Sequence, residues 1–137
     1  MALKDKIELI ERKLLPDDRG FFVKILTGNE KNLNNEVGEI YVTRATPGAY
    51  RANHYHKITN EWFTVIQGKA TVIVEDIETK ERLKFIFDAK NPKTLYCPTN
   101  IAHVFINEKD AKDDFILIAY ADKQYIPDDT FMYELTK

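Results

Sequence analysis

The chain contains three histidines, and two of them, His54 and His56, stand two residues apart in the stretch A-Y-R-A-N-H-Y-H-K at 49–57. Glu61 follows after a short K-I-T-N segment, and His103 lies in I-A-H-V-F-I at 101–106. On an extended strand, residues two apart share a face, so His54 and His56 point the same way. Glu61 opens the next β-rich run, where it can face them, and His103 belongs to a third. Three imidazoles and one carboxylate on neighbouring strands suit a divalent metal with open coordination positions, such as Zn, Fe, Mn, Ni or Co. A lone histidine on a strand is ordinarily a half-buried polar residue; concentrating every histidine of the chain in this pattern argues for a site. The same residues suit proton transfer, because neutral imidazole titrates near working pH and can act as a general base. A ring nitrogen bound to a metal has no lone pair left for a proton, so His54 is ligand or base at any one moment.

The elements that position these residues read as strands. Runs rich in Val, Ile, Phe, Tyr and Thr recur at 21–26, 39–46, 61–67, 70–76, 82–87, 94–97, 103–106 and 115–121, separated by turn-forming clusters of Pro, Gly, Asn and Asp. Many short strands with no long helical period predict an all-β sandwich or barrel. Residues 4–13 read either as a short helix or as an edge strand. With 137 residues, no internal repeat and no linker, the expectation is a single domain over 1–137. A net charge of -2 with both signs interspersed gives no electrostatic reason to expect nucleic acid or an anionic membrane as partner. The N-terminal residues are too charged for a signal peptide, and no later stretch is apolar enough for a membrane span. The single cysteine, Cys97, reads as a buried small residue in a reducing compartment, so the expected location is cytoplasmic.

At this point the pattern resembles a known family. The segment 48–68, from Gly48 through His54, His56 and Glu61 to Gly68, resembles the first cupin motif. The segment 98–107 resembles the second, with Asn100 where that motif has glycine, and asparagine tolerates the positive φ such a position requires. The resemblance implies a single-domain cupin, a double-stranded β-helix or jelly-roll barrel. Within the cupins, D-D-R-G-F-F-V-K-I at 17–25 resembles the opening of dTDP-4-dehydrorhamnose 3,5-epimerases, and Y-R-A-N-H-Y-H-K resembles a segment of the dTDP-sugar 3,4-ketoisomerases. The segment I-L-I-A-Y-A-D-K-Q-Y-I-P-D-D at 116–129 resembles the region carrying the epimerases' tyrosine acid.

This likeness implies an isomerase or epimerase of a dTDP-4-keto-6-deoxyhexose-type nucleotide sugar in polysaccharide biosynthesis. It implies His54 as base, with His56 or Tyr120 returning the proton. Arg19 and Arg51 would bind the diphosphate, and Phe22, Tyr41 and Tyr125 would line the substrate. Each of these has a plainer reading, as a solvated arginine or as an aromatic with strand propensity. The chain departs from the 3,5-epimerases in lacking their C-terminal aspartate and their lysine, and from the ketoisomerases in having Glu61. Cupin domains of zinc-binding capsular nucleotide-sugar enzymes keep H-Y-H and the glutamate together. Two other functions use the same residues: a metal-dependent cupin oxygenase, and a non-catalytic metal- or sugar-binding cupin. The resemblance also implies a homodimer, paired through exchanged N-terminal strands.

Overall fold

The computed structural model describes residues 1–36 and 38–136. In chain order the elements are α1 (Leu3–Lys6), β1 (Glu8–Glu11), β2 (Leu15–Asp17), β3 (Gly20–Phe22), β4 (Glu39–Ala45), β5 (Tyr50–Tyr55), β6 (Glu61–Gln67), β7 (Lys69–Asp76), β8 (Arg82–Asp88), β9 (Lys93–Cys97), β10 (Ile101–Ile106), β11 (Phe115–Ala121) and β12 (Phe131–Met132). One five-stranded sheet runs β1-β9-β6-β11-β4 and a second runs β12-β5-β10-β7-β8, both antiparallel; β2 and β3 form a separate hairpin. From β4 onward the chain passes from one sheet to the other at every connection except the β7–β8 hairpin. That alternation is the double-stranded β-helix of a jelly roll, the fold expected from the sequence.

The alternating pattern of the strands explains what lies between the sheets. On β11, Phe115, Leu117, Ala119 and Ala121 are buried while the residues between them are not. Phe63 and Val65 of β6 join them across the gap from Val72 and Val74 of β7 and Phe105 of β10 in one core. Each phenyl ring buried this way contributes about 1.5–3 kcal/mol. A second cluster of Ile73, Ala102, Val104 and Leu135 covers the outer face of the other sheet, where the C-terminal segment lies down.

Two backbone features aim the strands that carry the site. Gly68 turns β6 into β7 at φ +75°, and a Cβ there would sit 2.6 Å from the Asp114 carbonyl oxygen, so glycine is required. On β5, the pairing with β10 runs Val104 with Ala52 and then His103 with His54, leaving Asn53 as a bulge. Ala52 and Asn53 both have positive φ, at 72° and 73°. Asn53 is clamped by the C-terminal segment: its side chain accepts from the Leu135 N–H at 2.8 Å and its carbonyl from the Tyr133 N–H at 3.0 Å. The strained pair is thereby held, and His54 is set directly opposite His103.

The structure differs from the sequence reading at the N-terminal end. Residues 4–13 divide into the short helix α1 and strand β1. The run at 21–26 is strand only through Phe22. Asn100 adopts φ 65°, as its place in the second motif requires.

Candidate active site

Both sheets contribute to one cavity at an end of the barrel. His54 comes from β5 and His103 from β10 of one sheet; Glu61 comes from β6 and Tyr41 from β4 of the facing sheet. His56 stands just past β5, at the start of the connection to β6. One ligand-type atom from each of His54, His56, Glu61 and His103 lies within 4.8 Å of all the others. Above this cluster opens a cavity of about 320 Å³, lined among others by Tyr41, His54, His56, Glu61, Gln124 and Tyr125.

The connection between His56 and Glu61 is fixed by a residue that the sequence reading missed. The buried Asp129 carboxylate accepts hydrogen bonds from the backbone N–H groups of Lys57 (2.8 Å), Ile58 (3.0 Å) and Thr59 (3.0 Å), and from the Thr59 hydroxyl (2.9 Å). Its backbone carbonyl lies 2.6 Å from His56 Nδ1. Asp122 performs the same service one residue on, accepting from the Asn60 N–H at 3.0 Å and from its side-chain amide at 2.9 Å. Neither carries a sequence signature beyond an acidic residue near a proline or a lysine, because its partners, largely backbone N–H groups, lie some 60 to 70 residues away.

The donors are oriented inward by these outer contacts. His56 gives Nδ1 to the Asp129 carbonyl, so its Nε2 faces Glu61 Oε1 at 2.8 Å. His103 Nδ1 lies 3.1 Å from the Ile101 carbonyl, leaving Nε2 3.8 Å from the same carboxylate oxygen. The Tyr41 hydroxyl donates to Glu61 Oε2 at 2.5 Å. His103 Nε2 is buried without a hydrogen bond.

The charge state follows from the same neighbours. Burial pushes the Glu61 carboxyl up, but the hydrogen bond from His56, the charges of His103 and His56, and the Tyr41 hydroxyl together hold it below its usual value. Burial lowers His56, and Glu61 with the Asp129 carbonyl outweighs it, so His56 is raised. His54 is pushed down to about 3, first by burial and then by His103 and His56. His103 is lowered by burial. Burial thus favours the neutral form of His54 and His103, while the contact between His56 and Glu61 favours a proton on His56 and a charge on Glu61.

Of the residues expected at the substrate, Tyr41 and Tyr125 line the cavity and the others do not. Tyr120 is a correction: on β11 the inward positions are Ala119 and Ala121, so Tyr120 points to the outer face. There it packs on Trp62 and donates to the Glu36 carbonyl. Arg19 lies away from the cavity of its own chain, at the tip of the β2–β3 hairpin with its side chain 87% exposed, 3.5 Å from Asp17. Phe22 sits on the same hairpin, 56% exposed and outside the cavity. The Arg51 guanidinium is held by the Arg44 carbonyl, with Nε at 2.8 Å, and does not line the cavity. Behind the site Phe63 packs on His103, with centroids 5.1 Å apart, while its neighbour Trp62 faces outward onto Tyr96. Cys97 is buried beside His103 Nδ1, and burial pushes its thiol up, which suits a packing role.

The architecture, with its histidines facing inward, is that of a cupin barrel. The chain belongs to the family described as Polysaccharide biosynthesis C-terminal domain, whose model matches residues 15–133. A curated relative, the spore coat polysaccharide biosynthesis protein SpsL of Bacillus subtilis (strain 168), is 29% identical over 92 residues, covering 64% of this chain and 60% of that protein. Among solved structures, dTDP-6-deoxy-D-glucose-3,5-epimerase RmlC from Legionella pneumophila Philadelphia 1, in complex with dTDP-4-keto-L-rhamnose, superposes with a TM-score of 0.84. It is 18% identical, with 98% of this chain and 76% of that one covered. The capsular polysaccharide assembling protein CapF from Staphylococcus aureus superposes at 0.67 with 22% identity, over 90% of this chain and 34% of that one. At these identities the structural likeness is one of fold. Among the described residues no helix is long and apolar enough to cross a membrane.

Proposed function

We propose that the chain is an isomerase or epimerase of a nucleotide-linked 4-keto-6-deoxy sugar, acting in polysaccharide biosynthesis with a divalent metal bound by His54, His56, Glu61 and His103. The observation that carries the metal is the convergence of one ligand-type atom from each of the four side chains within 4.8 Å of one another, with His103 Nε2 buried and without a hydrogen bond while its Nδ1 is engaged. Buried polar atoms are rarely left unmet, and outer hydrogen bonds that turn the remaining lone pairs to one point are the usual support of a metal ligand. The mixed nitrogen and oxygen set suits Zn, Fe, Mn, Ni or Co. When bound, the ion supplies a positive charge that polarises the sugar ketone.

The chain's own residues do the rest. A 4-keto group acidifies the protons on its neighbouring carbons, so an imidazole at the cavity wall can take one. Tyr125, which lines the cavity and, unlike Tyr41, is not hydrogen-bonded to Glu61, would return it. Reprotonation on the opposite face of the same carbon gives an epimer; reprotonation at C4 moves the ketone. A cavity of about 320 Å³ accommodates a hexose, with the nucleotide at the mouth. The Legionella epimerase, solved with dTDP-4-keto-L-rhamnose, supports this substrate class, and SpsL supports polysaccharide biosynthesis as the setting.

We also propose a homodimer in the cytoplasm. The exposed Phe21 and Phe22 of the hairpin, and Ile40 and Val42 on the outer face of the first sheet, are apolar surface that a second copy would cover. Such pairing is also the way Arg19 and Phe22 could reach a neighbouring cavity. The functional test is incubation with dTDP-4-keto-6-deoxyglucose in D2O. Deuterium at C3, C4 or C5, or a new keto sugar, is expected; recovery of unlabelled substrate would count against the reading.

A further inference from the structure

Every donor of the cluster has a second polar atom, and where that atom goes decides how firmly the side chain is held. His56 uses Nδ1 on the Asp129 carbonyl at 2.6 Å. His103 has Nδ1 3.1 Å from the Ile101 carbonyl. Glu61 gives Oε2 to the Tyr41 hydroxyl. His54 differs from the other three: among the described residues its ring makes no hydrogen bond. Its contacts are the rings of His56 and His103, at centroid distances of 4.8 and 5.0 Å. It also lines the open cavity, whereas His103 lies beneath it at 2% exposure.

From this asymmetry we infer that His56, Glu61 and His103 form a fixed three-donor platform, and that His54 is a movable fourth member that leaves the ion to take the substrate proton. The inference rests on the metal-assisted reading above and divides its labour among the residues. An anchored second nitrogen fixes both the tautomer and the ring orientation of a ligand; an unanchored imidazole keeps its rotamer freedom. Two imidazoles and one carboxylate are by themselves a sufficient metal-binding set that leaves coordination positions open. His54 is then ligand in the resting site and base in the reacting one, so the two roles never require the same lone pair at once. In the step itself the C–H bond next to the ketone breaks, its electron pair stays on the sugar as the enolate, and the proton forms a bond to the freed His54 nitrogen. The cycle closes when the enolate is reprotonated and His54 gives its proton up.

The test compares metal affinity, by competition with a zinc-chelating dye, in the full chain and in His54→Ala, His54→Gln, His56→Ala and His103→Ala, with circular dichroism confirming the fold of each. Loss of a ligand itself weakens binding by more than the roughly 10- to 100-fold that loss of its outer support costs, so His56→Ala and His103→Ala are expected to fall by about 100-fold or more. His54→Ala and His54→Gln are expected to keep one zinc per chain, within about tenfold of the unaltered affinity, while losing deuterium exchange into the keto sugar. If the His54 variants lose zinc as His103→Ala does, His54 is an ordinary ligand and the inference falls while the metal reading stands. If they keep both zinc and full exchange, His54 is not the base and the inference also falls. If the unaltered chain binds no zinc, the metal reading itself is overturned and this inference with it.

Discussion

Replacing Asp129 by alanine tests whether the connection between His56 and Glu61 is held from outside, as the hydrogen bonds indicate. The carboxylate receives four donors, of which two belong to the buried Thr59 and two to the exposed Lys57 and Ile58. Water can replace it at the exposed pair, so those losses are small. At Thr59 the N–H and the hydroxyl lose a charged acceptor in a buried setting, each worth about 1–3 kcal/mol. The expected destabilisation is therefore about 3 kcal/mol, or roughly 10 °C in Tm for a chain of this size. The same change frees the segment that orients His56, and loss of such outer support lowers metal affinity by about 10- to 100-fold. Urea denaturation of metal-free protein gives the first quantity, and dye competition for zinc gives the second. A destabilisation under about 1 kcal/mol together with unchanged zinc affinity would refute the reasoning, because it would mean the segment holds its shape without Asp129.

Two further outcomes follow from particular contacts. Burial raises the Glu30 carboxyl, but the hydrogen bonds from Arg12 and from Thr27 outweigh it and hold Glu30 at about 2, below its ordinary 4.5. A depressed carboxyl stabilises the fold above its unfolded value, so this contribution, at most about 3 kcal/mol, is present at pH 6 and is lost as the pH falls from about 4.5 towards 2. Glu30→Gln should accordingly be less stable than the unaltered chain at pH 6 and nearly equal to it at pH 2 by urea titration; a gap independent of pH would contradict the assignment. Among the tyrosines, Tyr125→Phe is expected to slow sugar turnover by about 10²-fold or more, as loss of a positioned acid does, while Tyr120→Phe leaves it within about twofold. Turnover of the keto sugar measured for both variants decides it, and the reverse order would return Tyr120 to the site.

The barrel and its cluster were legible in the sequence for one physical reason. Alternation along strands puts His54 and His56 on a common face, and β-rich runs with turn residues between them leave few architectures open. Tyr120 shows the same rule in reverse: its segment resembles a functional one, yet its parity on β11 opposes that of Ala119 and Ala121. The bulge at Asn53 was not legible, since a side chain held by residues 133–135 leaves no local trace in the sequence. Asp129 was missed because it acts on main-chain groups far away in sequence, which any residue type supplies. Arg19 and Phe22 lie on a hairpin with no role in the cavity of its own chain, and motif likeness alone placed them at the substrate.

The central claim is that four side chains from two facing sheets meet on one divalent ion. Anomalous scattering from crystals of the zinc-loaded protein, measured on both sides of the zinc edge, tests it most directly. The account predicts one strong peak per chain, about 2.0–2.2 Å from His56, Glu61 and His103 and within reach of His54. A fully loaded crystal with its zinc elsewhere, or with the cluster bridged only by hydrogen bonds, would contradict it.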